Sequence, residues 1–120
     1  DNLKRYNNNG YAAGDDVIRK LTQTLATALR PTDFLGRWRM GDEFIVILPA
    51  TTVDQAVMVA ERLRESVENA SKAWLFPTSI SIGVSYYPKH GYTGGQLIEA
   101  AEKALTIAKS IGKNNVVVAQ

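Results

Sequence analysis

The chain has 120 residues, 45% of them hydrophobic and 22% charged, proportions that suit one buried core and argue against disorder. Fourteen Lys and Arg against twelve Asp and Glu leave a net charge of +2, too small and too interspersed for a nucleic-acid footprint. Cysteine is absent and His90 is the one histidine, which excludes disulfide staples, thiolate-ligated metals, thiol nucleophiles and His-rich metal sites. No apolar run reaches the roughly 18 residues of a membrane span, and no signal peptide opens the chain. No membrane contact is expected, and the expected setting is a reducing compartment, most simply the cytosol.

Along the chain, Asn7-Asn8-Asn9 reads as a polar turn. Val17, Ile18, Leu21, Leu25, Ala28 and Leu29 recur at three- and four-residue spacings and predict an amphipathic helix over residues 15–29, opened by Gly14-Asp15-Asp16. Arg30-Pro31 closes it, because the residue before proline disfavours helical geometry. Residues 34–38 read as a short strand. The run 44–48 is apolar without alternation, the pattern of a strand buried on both faces, and Pro49 ends it. Between them, Arg39-Met40-Gly41-Asp42-Glu43 contains a glycine and predicts a β-hairpin with two adjacent carboxylates at its tip.

A second amphipathic helix is expected over residues 53–69, with Thr52 as N-cap. In the strand expected over residues 78–87, Ile80, Ile82 and Val84 alternate with Ser81, Gly83 and Ser85. Residues 91–95 read as loop, residues 94–111 as a third helix with Gly112 at its C′ position, and residues 116–118 as a closing strand. Helix–strand–strand–helix–strand–helix–strand implies an α+β domain with helices packed on an open sheet. No strand signal leads into the first helix. His90 reads as a loop residue, and Trp38, Trp74, Tyr86 and Tyr87 as core or rim aromatics rather than a base-stacking platform.

Four groups of residues carry chemistry, each with a plain structural alternative. Asp42 and Glu43 can hold a hard cation such as Mg2+, which prefers oxygen ligands and shares them with phosphates; the alternative is a solvated hairpin tip. Lys4, Lys109 and Lys113 lie at segment ends beside glycines or asparagines, where backbone amides also meet phosphate; lysines near a helix C-terminus equally complement its dipole. Arg30-Pro31-Thr32-Asp33 offers a guanidinium and a carboxylate across a tight turn, able to clamp a phosphate and a guanine edge; the alternative is a Pro-initiated turn with a local ion pair. Asn7 and Asp15, flanking Gly10 and Gly14, can together read the donor–acceptor edge of guanine, while Asp15 serves equally as an N-terminal helix residue.

Taken together these segments resemble the GGDEF domain, the catalytic domain of diguanylate cyclases. The resemblance rests on Asp1-Asn2-Leu3-Lys4 with Asn7, Gly10 and Gly14-Asp15; on Arg30-Pro31-Thr32-Asp33; on Gly41-Asp42-Glu43-Phe44; and on Ala108-Lys109-Ser110-Ile111-Gly112-Lys113-Asn114. Ser79-Ile80-Ser81-Ile82-Gly83-Val84 looks like the family's strand signature as well. It runs over essentially the whole chain, in order. It implies a nucleotidyl-cyclase-like open sheet flanked by helices, residues 1–120 forming a single GGDEF-like domain that is a fragment of a longer signalling protein.

The implied activity condenses two GTP into cyclic di-GMP and pyrophosphate with Mg2+ or Mn2+, each of two facing domains in a homodimer presenting one GTP. By match, Asp42 and Glu43 would be metal-binding and catalytic, and Asn7 and Asp15 would contact guanine. Gly41, Lys4, Lys109 and Lys113 would complete the GTP site. Arg30 and Asp33 match the RxxD site that binds the product. The sequence also departs from the family. Arg39-Met40 replaces one glycine in a stretch one residue longer than the family spacing, and the loop from Asn7 to Gly10 is one residue short. Tyr11 stands for a common His, Glu102 and Thr106 for Asp and Tyr, and Lys113 for Arg. The family's other metal-binding Asp belongs two residues before Asp1, on a first strand missing here. The alternative function is a degenerate module that binds cyclic di-GMP or GTP and signals through a partner without catalysis. A purely structural dimerisation module would bind no nucleotide.

Overall fold

The computed structural model describes Asp1, residues 3–39 and residues 42–120, the Tyr11 side chain excepted. Leu3 precedes a single helical turn, α1 (Lys4–Asn7), so the polar run begins as helix and becomes turn only at Asn8. Gly10, at φ +98°, redirects the chain into α2 (Tyr11–Thr27). This helix starts one turn earlier than its apolar stripe, because a glycine inside a helix costs only about 1 kcal/mol and Gly14 does not end it. Its last turn unwinds before Arg30-Pro31, as expected.

The hairpin forms as anticipated: β1 (Phe34–Trp38) pairs antiparallel with β2 (Glu43–Ile47), from Phe34 opposite Ile47 to Trp38 opposite Glu43. Glu43 is a ladder residue, which leaves Asp42 alone of the two carboxylates on the turn. The strand is also not buried on both faces: Phe34 and Ile47 are 53% and 51% exposed, since among the described residues this ladder has two strands and nothing covers that end.

Helix α3 (Val53–Ala70) opens with a capping box in which Thr52 accepts from the Gln55 amide while the Gln55 side chain accepts from the Thr52 amide. A one-turn 3-10 helix, Ser71–Ala73, follows. The strand expected over residues 78–87 shrinks to β3 (Ile82–Val84). Upstream, Thr78 and Ser71 exchange hydrogen bonds through the Ser71 hydroxyl, and Ser79 and Ser81 bond Asp1, so these residues are satisfied without a regular ladder. Downstream, the Tyr86 amide donates to His90 Nδ1 (2.9 Å), which folds the chain into a turn and places His90 in the loop.

Helix α4 (Gly94–Ser110) carries the same capping box through Thr93 and Gln96. Gly112, at φ +129°, follows its C-terminus as predicted, and β4 (Val116–Val118) runs parallel to β3. The class is α+β, with the strands arranged as two two-stranded ladders, β1–β2 and β3–β4, among the described residues.

The core forms where the 3.6-residue stripes of α2 and α3 meet. Val17, Leu21 and Leu25 pack with Leu63 and Val67, and Leu3 and Tyr6 close the end nearest the chain start. Each such side chain contributes about 1.5–3 kcal/mol on burial. Tyr6 also brings a polar atom inside. Its hydroxyl accepts from the Phe76 amide (2.9 Å) and donates to the Phe76 carbonyl, so one side chain substitutes for a strand partner. Tyr6→Phe leaves both backbone groups unpartnered and is expected to lower stability by about 1–3 kcal/mol, read as a shift in the urea midpoint at unchanged slope.

Candidate functional site

A cleft of about 630 Å3 opens between α1, the N-terminal part of α2, the hairpin and the C-terminal end of α4. Lys4, Asn7, Asp15, Asp42, Lys109 and Lys113, from five separate places in the sequence, all line it. Lys4 and Asn7 sit at the two ends of α1, and Asp15 follows in the second turn of α2. Gly14 has a local reason: a Cβ there would lie 2.7 Å from Asn7 Oδ1, so only glycine lets the Asn7 carboxamide rest against α2 beside Asp15. Lys109 occupies the last turn of α4, and Lys113 follows Gly112 at φ +61°.

Of the other residues the resemblance assigns to this site, Glu43, the β2 residue opposite Trp38, does not line the cleft. Gly41 lies outside the described residues. The sequence reading missed Arg5 and Arg37, which line the cleft, and gave Asp1 no role. Arg37 was legible in principle, since it lies opposite Phe44 once the hairpin register is set. With them the lining holds five cationic side chains against three carboxylates, a surplus suited to a polyphosphate. Lys4, Lys109 and Lys113 enter no ion pair among the described residues, so their ammonium groups are not already neutralised.

The three carboxylates are not equivalent. Asp1 accepts from the hydroxyls of Ser79 (2.8 Å) and Ser81 (2.9 Å) and from the Asn114 amide (3.2 Å). It is committed to joining the chain start to the approach to β3 and the turn after α4. Asp42, by contrast, is exposed on the hairpin turn. Among the described residues no three His, Asp or Glu side chains are grouped to hold a metal. Mg2+ bound together with a triphosphate needs only one or two carboxylates, with phosphate oxygens and water completing its shell, and an open Asp42 among the cleft lysines fits that donor set.

The hairpin is anchored from α4. Glu102 Oε1 accepts from Trp38 Nε1 (3.4 Å) and from Arg39 Nη2 (3.0 Å). Arg39, where the family spacing calls for glycine, adopts φ +60°, the left-handed region that disfavours side chains.

Arg30 and Asp33 stand apart from the cleft and form a closed turn. The Asp33 amide donates to the Arg30 carbonyl (3.0 Å) and the Arg30 amide to Asp33 Oδ2 (2.9 Å). The guanidinium grips the carboxylate through Nε (3.1 Å) and Nη2 (2.7 Å) while Nη2 also reaches Thr51 Oγ1 (2.9 Å). The guanidinium is half exposed and covers the Asp33 carboxylate. The guanidinium hydrogen bonds hold the Asp33 carboxyl below its ordinary value and raise that of Arg30.

The family model for the diguanylate cyclase GGDEF domain matches residues 1–115. The chain belongs to the GGDEF domain family. It is 36% identical over 110 residues to diguanylate cyclase DgcM of Escherichia coli, covering 92% of this chain and 26% of that protein. It is 38% identical over 110 residues to diguanylate cyclase A of Treponema denticola, covering 89% and 29%. The chain therefore spans about a quarter of the length of these curated relatives. Among solved structures it is similar to the GGDEF domain of PA1120 from Pseudomonas aeruginosa, with a TM-score of 0.90, 30% identity and coverage of 100% of this chain and 77% of that one. It is also similar to the GGDEF domain of DgcB from Caulobacter crescentus in complex with c-di-GMP, at a TM-score of 0.84 and 27% identity, covering 98% and 72%.

The Arg30–Asp33 turn yields a pH dependence of stability. A carboxyl depressed in the folded state stabilises fully above its unfolded value, near 3.8, and loses that contribution as pH falls through the folded value. Asp33→Asn is therefore expected to be less stable than the parent GGDEF domain at pH 7, and the gap is expected to narrow below about pH 4. Urea midpoints for both chains at pH 7 and pH 3 check it; a gap that stays constant would remove the ionised pair as its cause.

Proposed function

We propose that this GGDEF domain binds GTP in the cleft and, as a pair of facing copies, condenses two GTP into cyclic di-GMP. The observation that carries the reading is the convergence of Lys4, Asn7, Asp15, Asp42, Lys109 and Lys113 on one cleft. Asn7 and Asp15 supply a carboxamide and a carboxylate side by side, the pattern that pairs with the guanine edge, where the ring N–H and amino group donate to a carboxylate. The three lysines receive the triphosphate as point charges, with Arg5 and Arg37 adding to the field.

In the reaction the 3′-oxygen of one GTP forms a bond to the α-phosphorus of the other, and the bond from that phosphorus to the bridging oxygen breaks. Each such step releases pyrophosphate and a proton from the hydroxyl, and two steps close the ring. One cleft holds one nucleotide, so two facing domains are required. Lys109 and Lys113 offset charge on the departing pyrophosphate, and Asp42 is placed to take the hydroxyl proton. Mg2+ or Mn2+ would be held by Asp42, with Glu43, which does not itself line the cleft, assisting from the adjoining ladder position, and would supply neutralisation of phosphate charge when bound. GTP is a cytoplasmic nucleotide, which on this reading places the domain in the cytoplasm.

The test is incubation of concentrated chain with GTP and Mg2+ and mass-resolved detection of cyclic di-GMP. Product is expected, with Asp42→Asn lowering its rate about 100-fold or more. A chain that makes none under saturating GTP overturns the cyclase reading.

A second reading has its own support. Arg39 in left-handed backbone, tied to Glu102, supports a departure from the family hairpin near Asp42, whereas the Arg30–Asp33 turn is fully formed. On this reading the domain binds cyclic di-GMP at Arg30 and Asp33 and signals through a partner without making it. Arg30→Ala removes a charge-assisted donor and is expected to weaken cyclic di-GMP about tenfold or more in calorimetry. Unchanged affinity would take the ligand away from this turn.

A further inference from the structure

Three successive residues after α4 have positive φ: Gly112 (+129°), Lys113 (+61°) and Asn114 (+49°). A glycine there is ordinary, but side-chain-bearing residues resist this backbone, and a lysine gains nothing from it locally. The helix end does not require the strained pair. Gly112 and the Lys113 amide, which donates to the Ala108 carbonyl (3.1 Å), already close α4. Something else holds residues 113 and 114 in place.

That something is Asn114, whose donors and acceptor are spent on three different parts of the fold. Its backbone amide donates to Ser81 Oγ (3.1 Å) and to Asp1 Oδ2 (3.2 Å). Its side-chain Nδ2 donates to Glu68 Oε2 of α3, and its Oδ1 accepts from Arg64 Nη1 (3.2 Å). Arg64 is itself fixed by Glu61 (3.0 Å) and only 17% exposed. Arg64 and Glu68, four residues apart, lie 3.9 Å from each other, longer than a strong ion pair, because both reach Asn114 instead. Asn115 adds a bond from its side chain to the Lys113 carbonyl (3.0 Å).

Lys113 lines the cleft without an ion pair of its own among the described residues, so its backbone decides where its ammonium goes. We infer that Asn114, clamped by Arg64 and Glu68, is a positioning residue for nucleotide binding: it locks the left-handed turn that delivers Lys113 to the phosphate side of the cleft. The inference rests on the nucleotide reading above and extends it to a pair on α3 that lies outside the cleft.

The test measures binding of a GTP analogue with a methylene group in place of the α–β bridging oxygen, with Mg2+, by calorimetry. Asn114→Gly suits the positive φ and keeps the amide but removes the clamp; it is expected to weaken binding about three- to tenfold. In a Lys113→Ala background the same change is expected to cost nothing further, because the two act as one unit. Asn114→Asp sets a carboxylate against Glu68 and is expected to weaken binding too. Adding Glu68→Gln restores a donor–acceptor pair with reversed polarity and is expected to bring affinity back within about twofold of the parent. Should Asn114→Gly fail to fold, the aspartate variant and its rescue carry the test alone. Unchanged affinity in Asn114→Gly, or an equal loss with and without Lys113, overturns the positioning role while leaving the nucleotide site standing. A parent chain that binds no analogue overturns both.

Discussion

The missing side chain of Gly83 sets the position of everything at the cationic end of the cleft. A Cβ at that residue would collide with the Ala101 carbonyl oxygen and the Leu105 nitrogen, so α4 lies with its backbone directly on β3. Ala104 and Ala108, both fully buried, continue the same close seam. A helix seated on backbone rather than on flexible side chains has little freedom to roll or slide. Its last turn carries Lys109, and the corner after it carries Lys113 before β4 returns beside β3, with Ile82 opposite Val116. The two lysines therefore inherit their separation from a helix–strand contact that tolerates no larger residue.

The second fixed point is the Asp1 carboxylate. Three donors from two distant segments meet on it, and the Ser81 hydroxyl serves Asp1 and Asn114 together. A carboxylate so engaged is a structural joint, and its lone pairs are largely occupied. The cleft thus contains one acid spent on architecture, one beside Asn7 suited to a base edge, and one exposed on the hairpin turn. This division of labour among three aspartates follows from their partners, because residue type alone does not separate them.

Periodicity made much of this legible. The α2 and α3 stripes, the capping Thr52, the hairpin and the Gly112 corner follow from local rules that the tertiary fold leaves intact. The candidate site was legible only through the resemblance, since Lys4, Asp15 and Lys109 each have an adequate local explanation as helix-end residues. Where local reading failed, long-range satisfaction had won. Residues 78–81 alternate like a strand, yet their polar groups are met by Asp1 and Ser71, so the ladder shortens to three residues. Gly14 reads as a helix boundary until Asn7 is seen to need the space its missing Cβ leaves. The Arg64–Glu68–Asn114 clamp joins residues 46 and 50 apart in sequence, beyond the reach of any spacing rule.

The hairpin shows how an altered signature can coexist with an intact cleft. Glu102 and Lys109 are seven residues apart on α4, two helical turns and about 10 Å, which puts them on the same side of the helix. One holds the hairpin through Trp38 and Arg39, and the other lines the cleft. The hairpin and the cleft lysine Lys109 are thus referred to a single rigid body, the helix that Gly83 seats. Arg39, one of the two residues that stand for a family glycine, adopts left-handed backbone where the Glu102 contact restrains the chain. Asp42, three residues further on, still reaches the cleft. Among the described residues of the motif the positive φ falls on Arg39, a residue tied to α4, while Asp42 lines the cleft together with Lys4, Lys109 and Lys113.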